Sequence, residues 1–341
     1  MGPHTIWNVI WFILIGVLFI GFFVLEGFDY GVGILLPILG KSERDRRVIL
    51  NSIGAHWNGN EVWLITAGGA IFAAFPNWYA TMFSGFYIAL VLLLGALMLR
   101  GVAIEFRSKD DSPRWRSFWD WSFFGGSLLA ALLWGVAIAN LVKGTPIDGR
   151  MNFVGSFFDL INVYTLAGGL LTLAAFTLYG AVYLGLKADP EIAERASDLA
   201  ETLGLVTIVV AVAWIILGFL MTDMFFRLSD LPIVTVALAA VALIAAWQLS
   251  RLRRQGWAFV TMALTLVLVV ATVFLGLFPR VMVSSLNPAW SLTIYNASSS
   301  EYTLNTMSII AFILVPIVLA YLAWSYRVFR GRVRKNTKLE Y

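Results

Sequence analysis

Nine apolar runs, most of them at or beyond the ~20 residues a helix needs to cross hydrocarbon, constrain this chain more than any other feature. They fall at roughly 6–39, 51–75, 78–104, 115–142, 157–186, 197–222, 231–249, 257–279 and 302–329. Inside a bilayer every backbone N–H and C=O must bond within its own segment, so such runs are helices. Of the 341 residues, 60% are hydrophobic and 13% are charged, and no soluble domain of this length needs so much apolar surface. The sequence predicts an all-α polytopic membrane protein with nine transmembrane helices. The first run reads either as one long helix or as a helix with an irregular end near Gly31 and Gly33. The N-terminus lacks the basic start and the cleavage site of a signal peptide.

Lysine and arginine set the expected orientation. One side holds Lys41, Arg44, Arg46, Arg47, Arg100, Arg107, Lys109, Arg114, Arg116, Lys187, Arg195, Arg251, Arg253 and Arg254. Arg327, Arg330, Arg332, Arg334, Lys335 and Lys338 join them, while Lys143, Arg150, Arg227 and Arg280 lie opposite. Nine spans thus divide the 24 basic residues twenty to four. Cytoplasmic loops carry the excess, which predicts the N-terminus outside and the C-terminus in the cytoplasm. Spans 1–4 (residues 1–142) and 5–8 (residues 157–279) group as two four-helix units with the ninth helix (302–329) appended. Similarity between the halves is weak, and no separate soluble domain is expected.

Several function classes drop out. With no cysteine, disulfides, thiolate metal sites and thiol catalysis are excluded. The net charge of +4 comes from basic residues at helix ends, so a nucleic-acid partner has little support and membrane lipid is the expected surroundings. "GFDYGVG" follows no strand, which argues against a phosphate-binding loop. "NAS" at 296–298 matches a glycosylation sequon, a weak signal.

The unusual residues are acids inside the spans. "EGFDYGVGILL" (26–36) puts Glu26 and Asp29 within span 1. Counting ~1.5 Å per residue from the cytoplasmic ends, Asp29 lies about 16 Å deep and Glu61 about 15 Å deep, near mid-membrane. Acids there are costly to keep and usually mark function. Asp120 and Glu105 lie nearer the inner surface, so the acids are expected to form a ladder from the cytoplasm to half depth. Glu26 and Asp29 are spaced i,i+3 on one face, as are Asn58 and Glu61. Gly27, Gly31, Gly68 and Gly69 let helices approach closely, which would bring the two polar faces together in a bundle interior able to relay protons. For the shallow residues, a helix-end anchor pairing Arg100 with Glu105 or Asp120 stands beside a functional role. His56 reads first as a satisfied interior histidine. The fourteen tryptophans are mostly interfacial belt or packing, with Trp57 the exception to watch.

The same residues carry a resemblance. "GFDYGVGILL", "HWNGNEVWLITAGGAIFAAFP", "FSGFYIALVL", "RSK…RWRSFWDW" and "SLTIYNASSSEYTLNTM" resemble subunit II of the bacterial cytochrome bd-type quinol oxidases. The likeness runs along most of the chain and is densest at 20–125. It implies two four-helix bundles plus one helix in the bacterial plasma membrane, paired with a related subunit I. That partner would hold haem b, haem d and the quinol-oxidising site, and the complex would oxidise quinol and reduce dioxygen to water. Chemical protons would come from the cytoplasm, which builds a proton-motive force without pumping. A small single-helix accessory subunit and a bound quinone or lipid are further options the resemblance leaves open.

Haem iron usually takes His, Met, Cys or Tyr as axial ligand. Only His4, which precedes the first span, and His56 are available as histidines here. The chain is therefore expected to bind no haem, no metal and no cofactor of its own. Protons are expected to pass from Glu105 and Asp120 through Asp29, Glu26 and Glu61 toward the partner, with Asn58 orienting water, Trp57, His56 and Arg100 in support, and Trp63 beside a route for dioxygen. Family members often have Asp at positions 26, 58 and 105 and Gln at 61. This chain therefore keeps its acid count in span 2 while moving it from 58 to 61, and the role falls on Glu61. The rival readings are a proton-coupled secondary transporter, which nine spans with buried carboxylates also suit, and an inert scaffold for a catalytic partner.

Overall fold

Pattern alone cannot say where a long apolar run breaks. The computed structural model, which describes residues 5–227, 229–336 and 339, places the breaks. His4 and Lys338 lie outside the described residues. The helices are α1 (Ile6–Leu39), α2 (Glu43–Gly54), α3 (Trp57–Ala74), α4 (Pro76–Gly85), α5 (Tyr87–Phe106) and α6 (Pro113–Lys143). They continue with α7 (Val163–Lys187), α8 (Pro190–Met221), α9 (Leu231–Arg251), α10 (Gln255–Leu277) and α11 (Glu301–Val328).

The first run is one continuous helix through Gly31 and Gly33, ending at Gly40. The second is divided. Its inner part belongs to α2, which starts at the Ser42 cap, whose side chain accepts from the Asp45 N–H, and a turn at Ala55–His56 separates it from α3. The third is divided as well, α4 giving way to α5 at Phe86. The fifth starts at Val163, where the Asn162 side chain accepts from the Thr165 N–H; residues 157–160 form only a 3-10 turn.

Among the described residues, eight helical stretches are long and apolar enough to cross a membrane: α1, α5 with its 3-10 extension, and α6 to α11. The 18-residue α3 is not among them, because Asn58, Asn60 and Glu61 crowd its first turns. Its far end still reaches the segment between α10 and α11, where Ser299 Oγ donates to the Ala73 carbonyl at 2.6 Å.

Helix α1 is the hub, packed against α7, α3, α6, α10 and α2. Every residue from Glu26 to Leu36 is buried, which is where a helix apolar all round belongs. Lipid tails are as apolar as side chains, so association rests on close packing rather than on escape from water. Gly31 and Gly180 supply it where α1 crosses α7. A Cβ on Gly31 would lie 1.9 Å from the Phe176 carbonyl oxygen, and one on Gly180 would lie 2.4 Å from Gly31 C. Helices α7, α8, α9 and α10 close a ring of neighbours, and α5 packs on α6. Helix α11 is bound most lightly. It touches α1 and α3, and of its own residues only Leu304 is buried.

Two short strands, β1 (Arg280–Met282) and β2 (Leu292–Thr293), pair antiparallel in the outer segment, a feature the apolar pattern could not signal. This segment caps α1: Asn8 Nδ2 donates to the Ile294 carbonyl at 2.9 Å and to Ser298 Oγ at 2.7 Å. The opposite face is tied by the chain beyond α11, where the Val333 N–H donates to the Lys187 carbonyl at 2.9 Å.

Candidate functional site

The intramembrane acids form two clusters rather than one ladder. The deeper cluster joins α1, α3 and α5 around Arg100. Its Nη1 lies 2.5 Å from Glu26 Oε1 and 2.7 Å from Glu61 Oε1. Arg100 and Glu26 are fully buried, and the Glu61 side chain is 22% exposed. The guanidinium also faces the rings of Tyr30 at 4.8 Å and Phe123 at 5.7 Å, cation–π contacts that strengthen where water is excluded.

Arg100 therefore pairs with Glu26 and Glu61 and not, as one of the two readings of its spacing has it, with Glu105 or Asp120 as a helix-end anchor. Removing a basic residue buried among acids costs the fold more than breaking an interfacial pair, because the carboxylates left behind would be uncompensated. It also does not belong with the loop residues in the charge count, which stays lopsided without it.

Asp29, one turn beyond Glu26, is fully buried and bound on one side. Asn60 Nδ2 donates to Asp29 Oδ2 at 2.7 Å and to the Leu25 carbonyl at 3.0 Å. Asn60 Oδ1 accepts from Tyr326 Oη at 2.8 Å. His56 stacks on Tyr326 with ring centroids 4.1 Å apart and planes 3° apart, and Phe329 meets its edge. Several deep polar atoms find no hydrogen-bond partner among the described residues: Glu26 Oε2, Asp29 Oδ1, Tyr30 Oη, and Arg100 Nε and Nη2. Such groups are rare in a bundle interior, and here they gather around one point.

The shallow cluster lies seven residues further along α5, about 10 Å at the helical rise. Arg107 Nε donates to Asp120 Oδ1 at 2.5 Å, and its two terminal nitrogens grip Glu43 at 2.9 Å each. Arg46 Nη1 donates to Asp120 Oδ2 at 2.8 Å. Burial pushes the Glu43 carboxyl up, but the Arg107 fork outweighs it and holds Glu43 below the usual carboxylate range. Asp120 is thus enclosed by two arginines, while Glu105 is exposed at the inner end of α5.

The other expected residues are spread out. Asn58 is exposed and turned away from Asp29, and the buried amide of α3 is Asn60. Trp57 is half-buried, its ring beside Gly101 on α5. Trp63 lies so close over Gly21 that a Cβ there would be 2.2 Å from the ring. Asn60 and Tyr326 were not anticipated. Asn60 is in phase with Ala67, Ile71 and Ala74, the buried side of α3, and that periodicity was the readable signal. Among the described residues no group of three His, Asp or Glu is placed to hold a metal ion.

Comparison with known proteins bears on what such a site does. The family model described as cytochrome bd terminal oxidase subunit II matches residues 7–329. Cytochrome bd ubiquinol oxidase subunit 2 of Bacillus subtilis is 46% identical over 333 residues, covering 97% of this chain and 98% of the relative. Cytochrome bd-I ubiquinol oxidase subunit 2 of Escherichia coli is 38% identical, covering 98% of this chain and 97% of that one. In three dimensions, a chain of the bd oxidase of Geobacillus thermodenitrificans superposes with a TM-score of 0.78 at 18% identity. The superposition covers 95% of this chain and 99% of that one, a likeness of fold.

Proposed function

The chain belongs to the cytochrome bd terminal oxidase subunit II family, and from that membership we propose that it is the haem-free second subunit of a membrane-bound quinol oxidase. In this reading it stabilises a haem-bearing subunit I and carries protons to it from the cytoplasmic side. The Bacillus and Escherichia relatives are named as ubiquinol oxidase subunits, which favours an oxidase over a proton-coupled transporter. Haem b and haem d in the partner would supply the electron transfer and dioxygen reduction, and this chain would supply protons. Among the described residues His56 is the single histidine, and its ring is taken up in packing against Tyr326.

The observation that carries the reading is the buried set Glu26, Arg100, Glu61 and Asp29 on three helices. Two carboxyl groups meet the one guanidinium directly, and a third, Asp29, is buried one turn from Glu26 on α1. Full ionisation would leave two negative charges uncompensated in the bundle, so the set has room for two protons before its charge balances. Arginine does not deprotonate in proteins, so Arg100 fixes the positive charge while the carboxyls exchange. The unpartnered oxygens of Glu26 and Asp29 are the atoms at which a proton would be held or passed. In this reading protons enter by the shallow cluster on the cytoplasmic side, beside Glu105, which is exposed near the end of α5.

Asp29→Asn tests this. In the purified complex it should slow quinol-dependent oxygen uptake by roughly tenfold or more, the usual scale for losing a proton-transfer group, with the haem spectra intact. Unchanged turnover would make Asp29 a structural residue and remove the proton-carrying role.

A further inference from the structure

The Asn60 side chain ties two elements to α3 with three hydrogen bonds, two to α1 and one from α11. Its Nδ2 donates to the Leu25 carbonyl and to Asp29 Oδ2 on α1, and its Oδ1 accepts from Tyr326 on α11. The Leu25 carbonyl can only accept, which decides the amide's orientation. A flipped amide would set an oxygen against two acceptors and lose both bonds. An amide is also a poor proton carrier beside a carboxyl, so this string is not itself a relay. What it does is hold one oxygen of Asp29.

We infer that Asn60, fixed by Tyr326, is a positioning residue that keeps Asp29 Oδ2 engaged and leaves Oδ1 as the single oxygen through which Asp29 passes its proton to Glu26. The inference rests on the proton-carrying reading above. Glu26 and Asp29 are fully buried and spaced i,i+3 on one face of α1, which makes their side chains neighbours. In the step, the O–H bond on Asp29 Oδ1 breaks and an O–H bond forms on Glu26. The negative charge passes from Glu26 to Asp29, which then takes its next proton from the cytoplasmic side. The charged and titratable groups around Asp29 are Glu26 on α1, Glu61 on α3, Arg100 on α5, Tyr179 and Tyr183 on α7, and Tyr326 on α11. Asp29 Oδ1 has no hydrogen-bond partner among the described residues, so it is the oxygen of Asp29 left open to exchange.

Tyr326 is itself held. His56 covers its ring face to face, and the His56 carbonyl accepts from the Asn60 N–H at 3.0 Å, so ring, amide and turn form one closed unit. Helix α11 is otherwise lightly bound, and its inner end is thereby coupled to the orientation of Asp29.

The test uses the assembled complex with Tyr326→Phe, Asn60→Leu and Asp29→Asn, reading kcat and KM for quinol, the solvent deuterium isotope effect and the haem spectra. Tyr326→Phe removes one oxygen and keeps the shape. It should lower kcat by roughly two- to tenfold, the worth of one hydrogen bond, with KM unchanged and a larger isotope effect. Asn60→Leu should do more of the same. If both variants keep the wild-type kcat and isotope effect while Asp29→Asn slows turnover, the positioning role is overturned and the proton-carrying reading stands. If Asp29→Asn is also without effect, the reading itself fails. A lower kcat with an unchanged isotope effect would likewise overturn the positioning role. Should Asn60→Leu fail to assemble, Tyr326→Phe decides alone.

Discussion

Without Arg100, Glu26 and Glu61 would face the same buried space with nothing of opposite sign between them. Breaking a buried ion pair from one side typically costs about 3–5 kcal/mol, whereas replacing all the charged members with neutral groups of similar size is often tolerated. Arg100→Met should therefore lower the thermal stability of the purified complex strongly. Adding Glu26→Gln and Glu61→Gln to it should restore most of the loss, and a triple variant no more stable than the single one would contradict the ion-pair account. Arg100→Lys should fall between, because an ammonium can still bridge the two carboxylates from one nitrogen but loses the planar guanidinium's contacts with the Tyr30 and Phe123 rings. At this scale the sequence was partly legible. The i,i+3 spacing correctly placed Glu26 and Asp29 together in the bundle, because depth and helical phase are properties of one helix. Their partners were not legible. A helix apolar all round shows no preferred face, so nothing in α5 announced that Arg100 turns toward α1 rather than toward Glu105. Asn58 and Asn60 are two residues apart, on different sides of α3, and only the packing of α1 against the Ala67–Ile71–Ala74 side selects Asn60.

Between elements, the inner surface is held by a clasp that joins the segment after α11 to α2, α7 and α8. Asp45 of α2 accepts from Arg195 at 2.7 Å and lies 3.0 Å from the Lys335 ammonium. Lys335 also reaches Glu191 at 2.6 Å, and its N–H donates to Asp189 at 3.0 Å. Arg44 and Arg47 donate to the carbonyls of Lys335 and Leu339, and Lys187 to those of Phe329 and Gly331. Burial pushes the Asp45 carboxyl up, but bonds from Arg195, Lys335 and Ser42 outweigh it and hold it below the usual range. Bonds to Glu191 and Asp45 hold the Lys335 ammonium above the usual lysine range. An acid shifted down stabilises the folded form above its unfolded pKa of about 3.9 and loses that contribution as pH falls through its folded value. A lysine shifted up contributes below about 10.4 and loses it as pH rises through its own folded value. Exchange protection of the Val333 and Lys335 N–H groups should thus be flat from about pH 5 to 9 and decline outside that window. Asp45→Asn should reduce it at neutral pH, and high salt should weaken the exposed Glu191 arm first. Protection that varied steeply near pH 7 would contradict the clasp. From the sequence, the basic residues after Arg327 read only as a cytoplasmic signal. Their use as bonds to specific carbonyls and acids depends on where three other helices, α2, α7 and α8, begin and end.

For the whole molecule, the question is whether α3 crosses. Hydropathy leaves it out, yet the two ends of the chain make contact at regions that an odd number of crossings would separate. Asn8 bonds to residues 294 and 298, which also reach the far end of α3 through Ser299, while residues 329–339 bond to α2 and α7. Nine crossings place the first set outside and the second in the cytoplasm. They also keep the twenty-to-four split of basic residues, whereas leaving α3 out turns it into sixteen to eight. Asn58, Asn60 and Glu61 at the start of α3 lower its hydropathy, and two of them, Asn60 and Glu61, belong to the acid cluster, so a helix that helps build the site is the one a hydropathy scan leaves out. The chain has no cysteine, so single substitutions can be labelled without background. Lys41, Asn77, Lys109 and Arg150 are exposed and lie, respectively, before α2, at the start of α4, after α5 and after α6. A membrane-impermeant maleimide added to spheroplasts should label Asn77→Cys and Arg150→Cys at once, and Lys41→Cys and Lys109→Cys only after permeabilisation. If α3 does not cross, Lys41→Cys and Asn77→Cys will label from the same side and Lys109→Cys from the other. Glu61, the one acid of α3, would then have no path across hydrocarbon to serve, and the proton-carrying reading would lose its route along with its topology.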